Sequence, residues 1–461
     1  MLVVPNVPAG WDWGTLPEPP LGVAWVAAYL KDEHEVAVID DYLEKNSRSE
    51  LLRKIRSFSP DAVGFSTTTF TECEAESIAA DVKKAAPETQ IFFGGPHASL
   101  FPQKVLECSS VDAVVIGEGE VTCAEYLSAL AAGKPLEGVK GIAFKKNNEE
   151  GKVRVNEPRP YMNNLDELRF PARELLKIRE YPEYKMSVSL KTPSTTMCTS
   201  RGCPYNCLYC SSPTIWGRSW RGMSGKRVTD EIEFLTEKYG VKSIKFHEDH
   251  FTFNKQRVLD ICREIRERGI EIEWQCESRV NNIDAERLKA MRDAGCKIVW
   301  YGIESGTQKI LDFYRKGTTL EQVKNAVRLT NEAGIEAMGS FILGAPIETR
   351  EEMEETIRFG LALELKEVYF NVLLAIPGTD LYDFVVKNNF VHKYVVGGMA
   401  EVAGTVPRDE VVRLRNAAQK QVIKRKIRRN WFSLLKYFVR HPKQLFSRRA
   451  LRTLEFLRTK Q

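Results

Sequence analysis

Residues 199–213 read TSRGCPYNCLYCSSP, with Cys203, Cys207 and Cys210 spaced C-x3-C-x2-C. Soft thiolates on one compact loop suit an iron–sulfur cluster, and three ligands rather than four leave one iron of a [4Fe–4S] cube open. A structural zinc would want a fourth Cys or His at matched spacing. A ferredoxin would supply a fourth nearby Cys, and Cys198 belongs instead to the strand before the loop. That strand, over 195–198, is followed by apolar runs at 243–247, 270–276, 297–303, 336–343 and 368–373. Helical patterns over 227–239, 256–268, 284–294, 320–333 and 351–363 separate them. Six strand–helix units predict a parallel barrel that is shorter than the usual eight and therefore open. Its chemistry belongs at the C-terminal ends of the strands.

Upstream the alternation is tighter. Short Val-, Ile- and Phe-rich strands over 2–4, 36–40, 62–66, 91–94 and 113–116 alternate with helices over 23–31, 50–58, 72–86 and 120–132. This order predicts a parallel, doubly wound (Rossmann-like) α/β sheet, whose ligand lies beyond the strand C-termini. The chain then divides into a first domain over 1–135, a connector over 136–190, the barrel over 191–385 and a helical basic region over 386–461. Within the connector, 141–144 and 152–156 flank a polar turn and read as a hairpin.

The cysteine spacing, on the first loop of a strand–helix repeat, resembles the radical S-adenosylmethionine (AdoMet) enzymes, and the agreement runs over about residues 190–385. The resemblance implies that Cys203, Cys207 and Cys210 hold a [4Fe–4S] cluster whose open iron chelates AdoMet. Tyr209 matches the aromatic near the adenine. Glu248 and Asp249 in FHEDHF stand at the acidic motif for the amino group, and Arg279 in CESR at a carboxylate or ribose position. Glu304 and Ser305 in YGIESG are further AdoMet candidates, and FILGAP and AIPGTDLY shape the adenine and substrate end. His247 and His250 read as structural. Of the remaining cysteines only Cys276, at a barrel-strand end, merits a functional test; the others suit small buried apolar roles.

The first domain resembles the cobalamin-binding domain fused to one large radical AdoMet subclass. GFSTTT, with Ser66, Thr67 and Thr68, and FFGGPHAS, with Gly94, Gly95, Pro96 and His97, match its nucleotide-tail loops. VVIGEGE supplies Gly117, Glu118, Gly119 and Glu120. Other cobalamin folds carry Asp-x-His-x-x-Gly after the first strand, where the His ligates cobalt. Here NVPAGWDWGTLPEPP, residues 6–20, contains no histidine, which leaves Asn6, Trp11 and Trp13 as candidates near the lower face of the metal. The glycine-rich loops carry neither G-x-G-x-x-G nor a Walker motif.

Together the two resemblances imply an enzyme that uses a [4Fe–4S] cluster, AdoMet and cobalamin to methylate an unactivated carbon, with a ferredoxin or flavodoxin as electron donor. Cyclases and ring-contraction enzymes use the same cofactors, and the methylases act on lipids, tetrapyrroles, antibiotic intermediates and protein or peptide side chains. A protein or peptide is the expectation here. A non-enzymatic cobalamin sensor is disfavoured by the intact motifs.

Composition agrees with a folded globular chain: of 461 residues, 43 % are hydrophobic and 28 % charged. No apolar run reaches the ~18 residues of a membrane span. The start lacks the basic-then-apolar order of a secretory leader, so ten cysteines suggest a reducing cytoplasm and an anaerobic setting. The net charge of +5 conceals an asymmetry. Residues 408–461 hold 17 Lys and Arg against 3 Asp and Glu, a net of +14, which leaves residues 1–407 at −9. Trp431, Leu434, Leu435, Phe438 and Val439 form one helical stripe in that region. Such a helix packs on the protein's own body, meets an acidic partner, or lies peripherally on a membrane surface. Nothing accompanies the charge that would suit nucleic acid.

Overall fold

The computed structural model describes residues 1–7, 16–145, 152–185 and 190–429. Strands β1 (Leu2–Val4), β2 (Val38–Asp40), β3 (Ala62–Ser66), β4 (Gln90–Gly94), β5 (Ala113–Val115), β6 (Ile142–Lys145) and β7 (Val153–Val155) form one sheet in the order β2-β1-β3-β4-β5-β6-β7. The first five are parallel, as the short apolar runs and intervening helices require. The helices are built from local signals. Arg48–Phe58, for example, opens on a Ser47–Glu50 capping box and buries Leu51 and Ile55.

The hairpin expected within 136–190 is present as β6–β7, and it belongs to the first sheet. It pairs antiparallel with β5, with Ala113 opposite Phe144, and makes the sheet mixed. Ile142, Ala143 and Phe144 are buried. Their side chains demand a sheet neighbour, and the open edge of β5 is the one the chain meets first after the helix Gly119–Ala131.

The second domain begins with β8 (Ser194–Met197) and a two-residue ladder of β9 (Ser200–Arg201) with β10 (Arg221–Gly222). It continues through β11 (Ser243–Phe246), β12 (Glu273–Ser278), β13 (Cys296–Glu304), β14 (Glu336–Leu343) and β15 (Glu367–Val372). The six long strands lie in the order β15-β14-β13-β12-β11-β8, all parallel, and β8 does not pair with β15, so the barrel is open. Val299 and Tyr301 face the helices outside, and Trp300 between them stacks on Tyr369 at 4.8 Å on the inner face.

A small antiparallel sheet follows, of β16 (Leu374–Ala375), β17 (Val391–Tyr394) and β18 (Ala400–Val402). The basic helix Arg408–Arg429 then packs on β15. Val411, Ala418 and Val422 join the barrel core, and Arg408 donates to the Leu373 carbonyl at 2.6 Å. This part of the basic region therefore packs on the protein itself. The stripe from Trp431 to Val439 lies outside the described residues. No helix among the described residues is long and apolar enough to cross a membrane.

Candidate functional site

The cysteine loop leaves the barrel just after β8. Gly202, at φ +83°, starts it; a Cβ there would lie 2.3 Å from the Ser219 carbonyl, so only glycine lets the loop pass. Cys203, Cys207 and Cys210 are half-buried free thiols. Cys210 N–H donates to the Cys207 carbonyl at 3.1 Å, and Leu208 N–H ties the loop to Tyr314 at 2.9 Å. Burial, with repulsion from Asp249 and the other two cysteines, pushes the Cys210 thiol up to about 12; burial also raises that of Cys203. Cationic iron would reverse that penalty. Three cysteines on one loop without a matched fourth ligand suit a cluster with an open iron better than a structural zinc.

Around this loop the structure gathers some expected residues and locks others away. Tyr209 Oη donates to Glu304 Oε1 at 2.9 Å, and Lys316 Nζ lies 2.8 Å from the same oxygen. Glu304 sits at the β13 bulge with φ +70°, a conformation rare for a residue with a side chain and typical of functional sites. The Arg279 guanidinium stacks 3.7 Å above the Tyr205 ring, 3.3 Å from Cys207 Sγ. Tyr209, Arg279 and Glu304 thus share one face with the cysteines.

Glu248 lines the adjoining cavity beside Asp249, but its carboxylate is already engaged. Its carboxylate accepts from Thr199 N–H at 2.5 Å and Thr199 Oγ1 at 2.9 Å, with Arg257 behind it, and burial raises its pKa. Ser305 is likewise enclosed, with Oγ 3.1 Å from Thr356 Oγ1. Asp249 accepts from Ser212 Oγ and faces a cavity. His250 is buried beside Tyr205 and Phe253, and burial lowers its pKa to about 3, so it is a neutral packing residue.

The cavity, about 530 Å³, lies between the sheet's C-terminal edge and the barrel mouth. Ser66, Gly94, Gly95, Pro96, Gly117, Glu118, Gly119 and Glu120 line it over an apolar floor of Leu2, Phe92 and Val115. A Cβ on Gly94 would meet nothing nearer than 3.8 Å, and one on Gly117 nothing within 4 Å, so backbone opens directly onto the space. A corrinoid's bulky tail, with a flat apolar base on a ribose phosphate, would find room against such backbone and apolar surface. Thr67, Thr68 and His97 do not line it. Thr67 Oγ1 bonds the Gly94 carbonyl at 3.0 Å, and Thr68 N–H bonds Thr71 Oγ1 at 3.0 Å. His97 is fully buried, with Nε2 2.8 Å from Glu72 Oε1. Asn6 Oδ1 accepts from Val7 N–H at 2.9 Å and does not line the cavity; Trp11 and Trp13 lie outside the described residues.

From the barrel side, Thr196, Cys198, Ser200, Arg201, Trp216, His247 and Glu277 complete the lining with Glu248 and Asp249, and Cys276 is buried in the core behind them. The Glu277 carboxyl faces the cavity, and burial raises its pKa. His247 Nδ1 lies 3.3 Å from Glu18 Oε2 across the domain interface, and Lys245 Nζ lies 2.5 Å from Glu18 Oε1. Sequence reasoning did not single out Glu18, Glu277, Lys316 or Arg201. The signals were adjacency alone: Glu277 stands inside CESR and Arg201 two residues before the first cysteine.

Comparison with known proteins settles the family. The Radical SAM superfamily pattern matches residues 197–360, and the B12 binding domain pattern matches residues 15–127. An uncharacterised methyltransferase of Pyrococcus horikoshii is 40 % identical over 81 % of this chain and 80 % of its own. The chain belongs to the radical SAM superfamily, with a B12 binding domain ahead of the radical SAM domain. The anaerobic magnesium-protoporphyrin IX monomethyl ester cyclase of Rubrivivax gelatinosus is 31 % identical over 74 % of this chain and 61 % of its own. In fold, the chain matches the radical S-adenosylmethionine methyltransferase TsrM from Kitasatospora setae, solved with cobalamin and a [4Fe–4S] cluster, with TM-score 0.69, 20 % identity and coverage of 86 % of this chain and 75 % of that one. The radical SAM and B12 binding match regions hold the two donor sets described above, the cysteine loop and the glycine cradle.

Proposed function

We propose that this radical SAM protein is a cobalamin-dependent methyltransferase that acts on an unactivated carbon, with a protein or peptide side chain as substrate. The observation that carries the reading is the single cavity bordered by both the glycine cradle and the barrel mouth, beside the cysteine loop. A cluster on Cys203, Cys207 and Cys210 and a corrinoid in the cavity would supply one-electron cleavage of AdoMet and a transferable methyl group. The chain's own residues position the reactants. Tyr209, Glu304 and Lys316 form a fixed polar corner beside the cysteines, and Arg279 presents a cation to the cluster loop. Trp300 and Tyr369 offer a flat aromatic wall on the inner face of the barrel, and Glu277 an open carboxylate at its mouth. Exposed Arg413, Lys424 and Arg428 on the C-terminal helix fit an acidic partner, such as a ferredoxin or flavodoxin donor.

The test is anaerobic reconstitution with iron, sulfide and cobalamin, followed by measurement of 5′-deoxyadenosine and S-adenosylhomocysteine. Formation of both supports methylation; a loaded protein that cleaves no AdoMet refutes the enzyme. Cys203→Ala, Cys207→Ala or Cys210→Ala should lower cleavage by more than about a thousandfold, about 4 kcal/mol of barrier, and reduce bound iron. The identity to the magnesium-protoporphyrin cyclase favours a second reading, cyclisation with the same cofactors. That reading predicts 5′-deoxyadenosine without S-adenosylhomocysteine.

A further inference from the structure

Glu118 and Glu120 lie on the loop that opens the helix Gly119–Ala131, at the rim of the cavity. Their carboxylates are not free for a ligand. Arg201 reaches both, with Nη1 3.1 Å from Glu118 Oε1 and Nη2 2.5 Å from Glu120 Oε1. Arg221 Nη1 lies 2.7 Å from the same Glu118 oxygen. Both arginines are buried, and they stand opposite each other on the β9–β10 ladder, where Arg201 pairs with Arg221. The Arg201 guanidinium is also held between two indoles, 4.9 Å from the Trp25 ring in the first domain and 5.3 Å from the Trp216 ring in the second. A planar cation with two carboxylates at its edge and two aromatic faces has one orientation available. Cys203 follows two residues later, across the glycine whose φ is fixed by Ser219.

We propose that Arg201 is a positioning residue that couples the corrinoid cradle to the cysteine loop, so that the two cofactors bind cooperatively. The inference rests on the cofactor reading above. Filling the cavity fixes residues 117–120, which hold Arg201 and Arg221. These in turn fix the ladder from which the cysteine loop departs. Cluster assembly fixes the same ladder from its other end. Whichever cofactor binds second finds part of the ordering cost already met.

The experiment measures hydroxocobalamin affinity by quenching of tryptophan fluorescence, on the full chain with its cluster reconstituted and after anaerobic chelation. Wild type should bind hydroxocobalamin at least about fivefold tighter with the cluster present. Arg201→Met with Glu120→Gln removes the pair without stranding a buried charge, and Arg201→Lys keeps the charge but loses the fork and the stacking. Each variant is compared with itself: whatever its cluster-free hydroxocobalamin affinity, reconstituting the cluster should no longer tighten it, and the ratio falls to about 1. The rate at which a chelator strips iron from the oxidised cluster should fall on adding hydroxocobalamin in wild type and stay unchanged in both variants. A wild-type ratio of about 1, or variants that keep the wild-type ratio, would overturn the coupling. Failure of wild type to bind either cofactor would sink the cofactor reading itself, and the coupling with it.

Discussion

On the sheet side of the cavity the lining is Ser66, Gly94, Gly95 and Gly117 over Leu2, Phe92 and Val115; on the barrel side it is Arg201, His247, Asp249 and Glu277. The first wall offers mainly backbone and apolar surface, because its carboxylates Glu18, Glu118 and Glu120 are already paired with barrel-side Lys245, His247, Arg201 and Arg221; the second wall supplies the cations and the carboxylates Asp249 and Glu277. A large ligand that must be held by shape fits the first wall, because bare backbone admits close approach without a specific partner. A reacting group that must be oriented fits the second, where charges in a confined space act at their strongest. The two domains therefore divide the labour of holding and aiming.

The comparison breaks most sharply at Gly94. Its ideal Cβ has open space around it and its backbone is ordinary strand, so Gly94→Leu should fold normally and push its side chain into the cradle. Corrinoid affinity should fall by about a hundredfold, about 2.8 kcal/mol, while iron content stays at wild type. Equal loss of both cofactors would mean that the walls are not separable.

The charged side is tested next at Lys316, which shares the buried corner with Glu304 and Tyr209. Lys316→Met strands the Glu304 carboxylate and should cost about 3 kcal/mol of stability, seen as a lower urea midpoint. Adding Glu304→Gln should recover most of that loss, yet leave AdoMet binding impaired in equilibrium dialysis. Recovery of binding as well would reduce the corner to a structural ion pair.

The smallest effect is at the seam between the walls. Burial works to raise the Glu18 carboxyl, but its hydrogen bond to His247 and the charges of His247 and Lys245 hold it at about 2. The hydrogen bond to Glu18 raises His247 above 6.5 against burial. The Glu18 contribution is present above about 4.5 and fades as pH falls towards 2. The His247 contribution is present below about 6.5 and fades as pH rises through its raised value. The seam is thus firmest between these limits. Glu18→Gln should flatten the dependence of Tm on pH there, by about 1 to 3 °C after solvent screening. An unchanged profile would assign the pH dependence elsewhere.

Much of this architecture was legible in the sequence because strand and helix periodicity is local. β14 spans the same residues that its pattern suggested, and the cysteine loop falls where the spacing placed it. What was not legible depended on distant partners. Glu248 belongs to the expected acidic motif and lines the cavity, but that Thr199 and Arg257 engage its carboxylate depends on the fold. Glu118 and Glu120 read as ligand contacts on a glycine-rich loop, and only the folded chain brings Arg201 and Arg221 to them. His97 sits in a loop that faces the cavity, but its ring turns inward to Glu72. The hairpin β6–β7 was readable as a hairpin; its membership of the first sheet was not, because pairing with β5 is a non-local choice.

The helix Arg408–Arg429 has a consequence for how the chain is made. It covers the outer face of β15, where a barrel would ordinarily place the helix that directly follows its last strand. Here residues 373–407 intervene. On a ribosome, the first domain and its glycine cradle emerge and can fold early, whereas Val368, beside Val422, stays partly uncovered until this basic helix has left the tunnel. The order of synthesis thus leaves the cysteine-bearing barrel to be finished last, after its neighbour is ready to receive it.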